Sequence, residues 1–174
     1  MGTVLLARSR RRATLGVMAD GPAPLSLSLH RRIAEIAASD WDACAGGDNP
    51  FVSHAFLSAL EDSGSAVPDR GWLPQHAALR DEAGTLLACA PCYAKSHSQG
   101  EYVFDHGWAD ALERAGGRYY PKLQVCVPFS PVPGPRLLVR PGSAVPAAAL
   151  AQALVQGCQA VGASSVHATF CTAD

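Results

Sequence analysis

Between Cys92 and Trp108 the chain reads CYAKSHSQGEYVFDHGW, which gathers two His, a Lys, a Glu, an Asp, two Tyr and a Trp with few aliphatic residues. Three chemistries suit such a stretch. A metal could be held by His97, Glu101, Asp105 and His106, but metal motifs set their ligands on one face through a fixed period, and this set has none. A solvated loop with two structural histidines is the plain alternative. The third is the wall of a substrate cleft. There Tyr102, Trp108, Tyr119 and Tyr120 would offer flat apolar faces with polar tips, beside Lys95, His97, Asp105, His106 and Lys122 as charged and proton-transfer groups. Asp105 or His106 is then the candidate general base toward an amine. No metal is expected.

Cys89 and Cys92 form a CAPC pair. Redox dithiols sit at helix N-termini, where the dipole lowers the attacking thiol's pKa. Here the pair ends a strand-like run, so its sulfurs are expected on opposite faces, and no second CxxC completes a zinc site. Cys44, Cys126, Cys158 and Cys171 read as small buried hydrophobes. A thiol protein working through Cys89 and Cys92 is the least favoured function.

Positioning these groups requires a mixed scaffold. Residues 27–36 read as a strand running into a helical turn, and a short helix is expected from Ser39. Ser53 can cap a helix over HAFLSALEDSG, with Val52 and Leu57 spaced as a hydrophobic staple and Gly64 ending it. QHAALR, the DEAG turn and TLLACAPCY predict an antiparallel hairpin. EYVFD reads as a short strand, WADALERAGG as a helix closed by Gly116, and KLQVCVPF as a buried strand stopped by Pro128. RLLV could pair as an edge. Pro146 then opens a helix in which Leu150, Leu154 and Cys158 share a face, and SSVHATFCT follows as a strand. Strand, helix, strand implies a parallel crossover and an α/β fold.

A chain of 174 residues suits one domain. Its formal net charge of -1 gives no footprint for a phosphate backbone, which disfavours nucleic-acid binding as a main role. Six Cys is too sparse for a disulfide-stapled secreted domain, so a cytoplasmic setting is expected, and no apolar run approaches the roughly 20 residues that span a membrane. Residues 1–24 are Arg-rich and read as a disordered or over-extended leader, with Met18 a second candidate start; residues 25–174 form the folded lobe. An apolar strand with no covering element after it suggests the N-terminal part of a longer protein.

The blocks DNPFVSHAFLSALEDSGS, KSHSQGEYVFDHGWADALERAGGRYYPKLQV and VPFSPVPGPRLL resemble the FemAB-like group, linked to peptidoglycan biosynthesis or recognition and placed in the GNAT acyltransferase superfamily. The resemblance runs from about Leu27 to the end. It implies a GNAT-like mixed sheet flanked by helices, an incomplete lobe normally followed by a second, and acyl or aminoacyl transfer to an amine. KLQVCVPF would be the strand whose amide polarises the acyl carbonyl, and the helix from Pro146 would hold the cofactor's pyrophosphate. The GNAT Gly-rich, Arg-bearing phosphate loop is replaced here by a Pro-rich segment, and proline removes donors. Acyl-CoA and aminoacyl-tRNA therefore both stay open as donors. The resemblance carries over no catalytic residue by motif. A binding module for a cell-wall precursor or other amine-bearing ligand, without turnover, is the competing reading.

Overall fold

The computed structural model describes residues 15–17, 24–103 and 105–172. Its strands are β1 (Leu15–Val17), β2 (Leu25–His30), β3 (Trp72–Pro74), β4 (His76–Arg80), β5 (Leu86–Ala90), β6 (Cys92–Lys95), β7 (Lys122–Val125), β8 (Leu138–Val139) and β9 (Val166–Ala168). The α-helices are α1 (Ala38–Ala45), α2 (His54–Asp62), α3 (His106–Arg114) and α4 (Ala147–Ala160). The fold is α/β. One sheet runs β1-β2-β4-β5-β8 and is antiparallel; the other runs β3-β6-β7-β9 and closes on a parallel pair, β7 with β9, reached through α4.

The two sheets share one ribbon. Each step from Leu79↔Ala88 through Ala77↔Ala90 to Pro74↔Tyr93 and Trp72↔Lys95 keeps the same antiparallel register, so β3–β4 and β5–β6 form a single long hairpin interrupted at Gln75 and Pro91. The Gln75 amide still donates to the Cys92 carbonyl across the break at 2.8 Å. At the turn, Gly84 takes φ 84°, a conformation glycine adopts without steric cost.

Side chains alternate along this ribbon, and its faces are covered differently. Leu79, Ala77, Ala88, Ala90 and Cys92 pack with Leu123 and Val125 under Leu150, Ala153, Leu154 and Cys158 of α4. Ala78 and Cys89 point the other way, into a second cluster with Trp41 and Cys44 of α1, Leu57 of α2, Ile33, Val52 and Leu138. The CAPC thiols therefore lie in different cores, on opposite faces of the strand.

α2 starts as its sequence requires: Ser53 Oγ accepts from the Phe56 amide at 3.2 Å, and Val52 and Leu57, the staple pair, are both fully buried. Gly64 and Gly116 both take the left-handed conformation, at φ 72° and 82°, beyond α2 and α3. Pro146 sits one position outside α4, at its N-cap. Three expectations change. Residues 101–103 form no strand; Tyr102 has φ 57°, outside the extended region, and Glu101 turns inward. Cys171 is exposed rather than buried, because it follows β9 instead of lying within it. Within the 1–24 leader, Leu15–Val17 pairs antiparallel with β2; the remainder up to Ala23, Met18 included, lies outside the described residues. No helix among the described residues is long and apolar enough to cross a membrane.

Candidate functional site: a buried charge cluster on the second sheet

Register decides what the second sheet presents. Leu73, Ala94, Leu123 and Val166 share the apolar face toward α4, so Trp72, Tyr93, Lys95, Lys122, Gln124 and His167 must share the other. On the ribbon's far half, the same face that packs α1 and α2 thus becomes polar.

The loop between β6 and α3 folds back over this face and delivers Glu101 and Asp105. Lys122 Nζ donates to Glu101 Oε2 at 2.7 Å and to Asp105 Oδ2 at 2.5 Å, and Tyr119 OH donates to the same Asp105 oxygen at 2.8 Å. Lys95 Nζ lies 3.4 Å from the Trp72 ring centroid and 4.0 Å from Glu101 Oε1, and donates to the Gln99 carbonyl at 3.1 Å. All four charged side chains are buried. Two ammonium groups face two carboxylates, so the cluster is formally neutral, as buried charge requires.

Burial raises the Asp105 carboxyl, but hydrogen bonds led by Lys122 outweigh it and hold the group at about 2. Glu101 goes the other way: burial raises it above the usual carboxylate range despite Lys122. Burial also pushes Lys95 down to about 8, against the pull of Glu101. Burial lowers Lys122, but its hydrogen bonds to Asp105 and Glu101 outweigh that and raise it, so the two carboxylates are moved in opposite directions and so are the two amines, the separation that acid-base sites use.

Among the described residues, four buried side-chain polar atoms lack a hydrogen-bond partner: Tyr93 OH, Glu101 Oε1, Asp105 Oδ1 and Gln124 Oε1. All four belong to this face or to the loop over it. Gln124 is oriented by its Nε2, which donates to Thr169 Oγ1 at 3.0 Å, leaving its oxygen as an acceptor. The site thus holds three buried acceptor oxygens, on acidic and amide groups, that lack a hydrogen-bond donor.

Of the residues the sequence nominates, Lys95, Asp105, Tyr119, Tyr120 and Lys122 come together. Tyr120 OH pairs with Ser98 Oγ at 2.7 Å and its ring packs edge-on to Tyr119. Four others stand apart from the cluster. His106 is exposed on the first turn of α3, and Trp108 and Tyr102 are 75% and 56% exposed. The His97 ring lies against Gly71, where an added Cβ would fall 2.1 Å from Nε2, and its Nδ1 accepts from the Gln99 amide. The four metal candidates are split accordingly, and the described residues contain no metal-capable group of three or more His, Cys, Asp or Glu. Glu101, nominated only as a metal candidate, enters as a second carboxylate partner of Lys122, and Gln124, His167 and Thr169 enter anew. Their signal was the polar alternation in KLQV and VHAT, inside otherwise apolar strands.

The CAPC thiols have no such setting. Burial pushes Cys92 up to about 12 and raises Cys89 well above its ordinary value, the reverse of an activated thiol.

A mixed α/β scaffold with a buried acid-amine cluster is the class of molecule this geometry defines. A family profile described as FemAB-like, peptidoglycan biosynthesis/recognition, matches residues 32–174, and the chain belongs to that family. No curated protein and no solved structure matches it.

Proposed function

We propose that the polar face of the second sheet is the amine-acceptor site of an N-acyltransferase-like protein acting in peptidoglycan precursor chemistry. The unpartnered oxygens of Glu101, Asp105 and Gln124 carry this reading. A primary ammonium brings three donors and a positive charge, which complements three acceptors of which two are acidic. Glu101 and Asp105 bind and orient the amine, and Lys122 fixes both carboxylates. Asp105, with its proton affinity so low, serves as a charge anchor rather than as the base. Tyr119 and Tyr120 shape the wall. A GNAT-like lobe completed by a second one, with acyl-CoA or aminoacyl-tRNA as donor, is the corresponding arrangement for transfer.

One observation favours recognition without turnover. Between β7 and α4 the backbone carries Pro128, Pro131, Pro133, Pro135, Pro141 and Pro146, none of which can donate to a phosphate.

The test is thermal stability with a peptidoglycan stem peptide bearing a free side-chain amine, beside the same peptide N-acetylated. Specific binding stabilises by about 2.7 kcal/mol at a hundredfold excess over Kd. The free peptide should raise Tm, the acetylated one should not, and Glu101→Gln should weaken binding at least about tenfold while leaving the unliganded Tm within a few degrees. Equal shifts from both peptides, or none, would sink the amine-site reading. Adding acetyl-CoA or alanyl-tRNA then separates the two functions. An acylated peptide means transfer, and binding without acylation means recognition.

A further inference from the structure

His167 lies outside the charge cluster's own hydrogen bonds, at the end of a chain of serine hydroxyls. Ser164 Oγ donates to the Tyr119 carbonyl, which can only accept. Its single proton is thereby used, so in its contact with Ser165 Oγ at 3.3 Å it must be the acceptor. When the Ser165 hydroxyl donates along that contact, its Oγ accepts from His167 Nε2 at 2.8 Å and the lone pair falls on Nδ1. Nδ1 has no hydrogen-bond partner among the described residues. The three-link relay from the Tyr119 carbonyl is thus compatible with the tautomer in which Nδ1 is the basic nitrogen.

Position completes the argument. His167 pairs across β7–β9 with Gln124, whose oxygen is one of the three unpartnered acceptors. Its ring stands edge-on to Tyr119 at 5.8 Å, and Tyr119 in turn donates to Asp105. The groups facing it are Lys122 and Gln124 from β7, Tyr119 from the preceding segment, Asp105 from the head of α3, and Ser165 on its own strand. Burial lowers its pKa, Lys122 lowers it further, and Asp105 opposes them, so the ring is neutral at pH 7. It is half-buried, whereas Glu101 and Asp105 are buried and bound to Lys122.

We infer that His167 is a catalytic residue of this site, its Nδ1 taking the first proton from a primary ammonium docked against the Glu101, Asp105 and Gln124 oxygens. The inference rests on the amine-site reading above and deepens it. The step balances as follows. One N–H bond of the ammonium breaks and its proton forms Nδ1–H, giving an imidazolium. The freed amine attacks the carbonyl of an activated acyl ester or thioester, forming the N–C bond. The bond to the leaving oxygen or sulfur then breaks, that atom keeping the electron pair and receiving the second amine proton. Ser165 is a positioning residue, since it acts only through the tautomer.

The experiment uses the whole chain with the amine stem peptide and two donors, acetyl-CoA and alanyl-tRNA. Wild-type kcat/KM should rise with pH along an acid limb whose midpoint lies below about 6.5, the ordinary histidine value. His167→Asn should lower it by about 10²- to 10⁴-fold and abolish that limb, while leaving the peptide-induced Tm shift intact. Ser165→Ala should lower it less and keep the limb, because the ring can then hold either tautomer. In proton NMR, the His167 imidazole midpoint should move when the stem peptide is added, and not when its acetylated form is. A His167→Asn chain that transfers at the wild-type rate, or keeps the acid limb, overturns the inference alone. So does an imidazole midpoint indifferent to the peptide while the peptide still raises Tm. A wild-type chain whose Tm the peptide does not move overturns the amine-site reading as well.

Discussion

Lys122 is the residue on which the site closes, since its ammonium group is the partner of both Glu101 and Asp105. Lys122→Met would leave the buried Asp105 without its cation and Glu101 with only Lys95, 4.0 Å away. Loss of one partner from a buried pair costs about 3–5 kcal/mol, and urea denaturation at pH 7 should show a loss of that order. Asp105 supplies the pH dependence. Its folded pKa of about 2 lies below the ordinary 3.8, so it contributes stability above pH 3.8 that is lost as pH falls through 2. Glu101, raised, has the opposite sign and favours the folded state most at low pH. Asp105→Asn should therefore flatten the acid arm of stability against pH between about 4 and 2, read from urea midpoints across that range. Lys95, Asp105, Tyr119, Tyr120 and Lys122 were legible as one chemical group, and the fold brings them together. Gln124, His167 and Thr169 were not: the sequence implied the parallel crossover but not the register that sets Gln124 beside His167.

Among the elements, α2 was the most legible, and the reason is local. Its cap, staple and terminal glycine all lie within residues 52–64, so neighbouring chemistry fixes them without tertiary help. Ser53→Ala should cost about 1 kcal/mol, measured as a shift in urea midpoint at unchanged slope. The helix is also tied to the ribbon in a way the sequence does not disclose. Glu61 accepts from the Ile33 amide and from His76 Nε2 at 2.8 Å, while His76 Nδ1 accepts from the Cys92 amide. That histidine is a satisfied core group pinning α2 to the point where the two sheets meet. Residues 101–103 failed as a strand for the opposite reason: Tyr and Val favour extension locally, but Glu101 is drawn inward by Lys122, and long-range charge overrides that preference.

For the whole molecule, the sequence conveyed an α/β scaffold and a helical crossover but not that one hairpin serves both sheets. Burial predicts its reactivity: Cys171 is exposed and the other five thiols are buried. A maleimide at pH 7 should label one thiol per chain quickly and the remainder only in urea, with Cys171→Ser abolishing the fast phase. Rapid labelling of Cys89 or Cys92 would contradict the burial described for them. The shared hairpin has a further consequence. Its two environments, oily and ionic, are sorted by nothing more than odd and even position along the chain. A single residue inserted between Leu86 and Lys95 would reverse that parity, swinging Lys95 beneath α4 and setting Ala94 where the ammonium belongs. The arm behaves as a ruler marked only in pairs, and length changes that preserve the site must come two residues at a time.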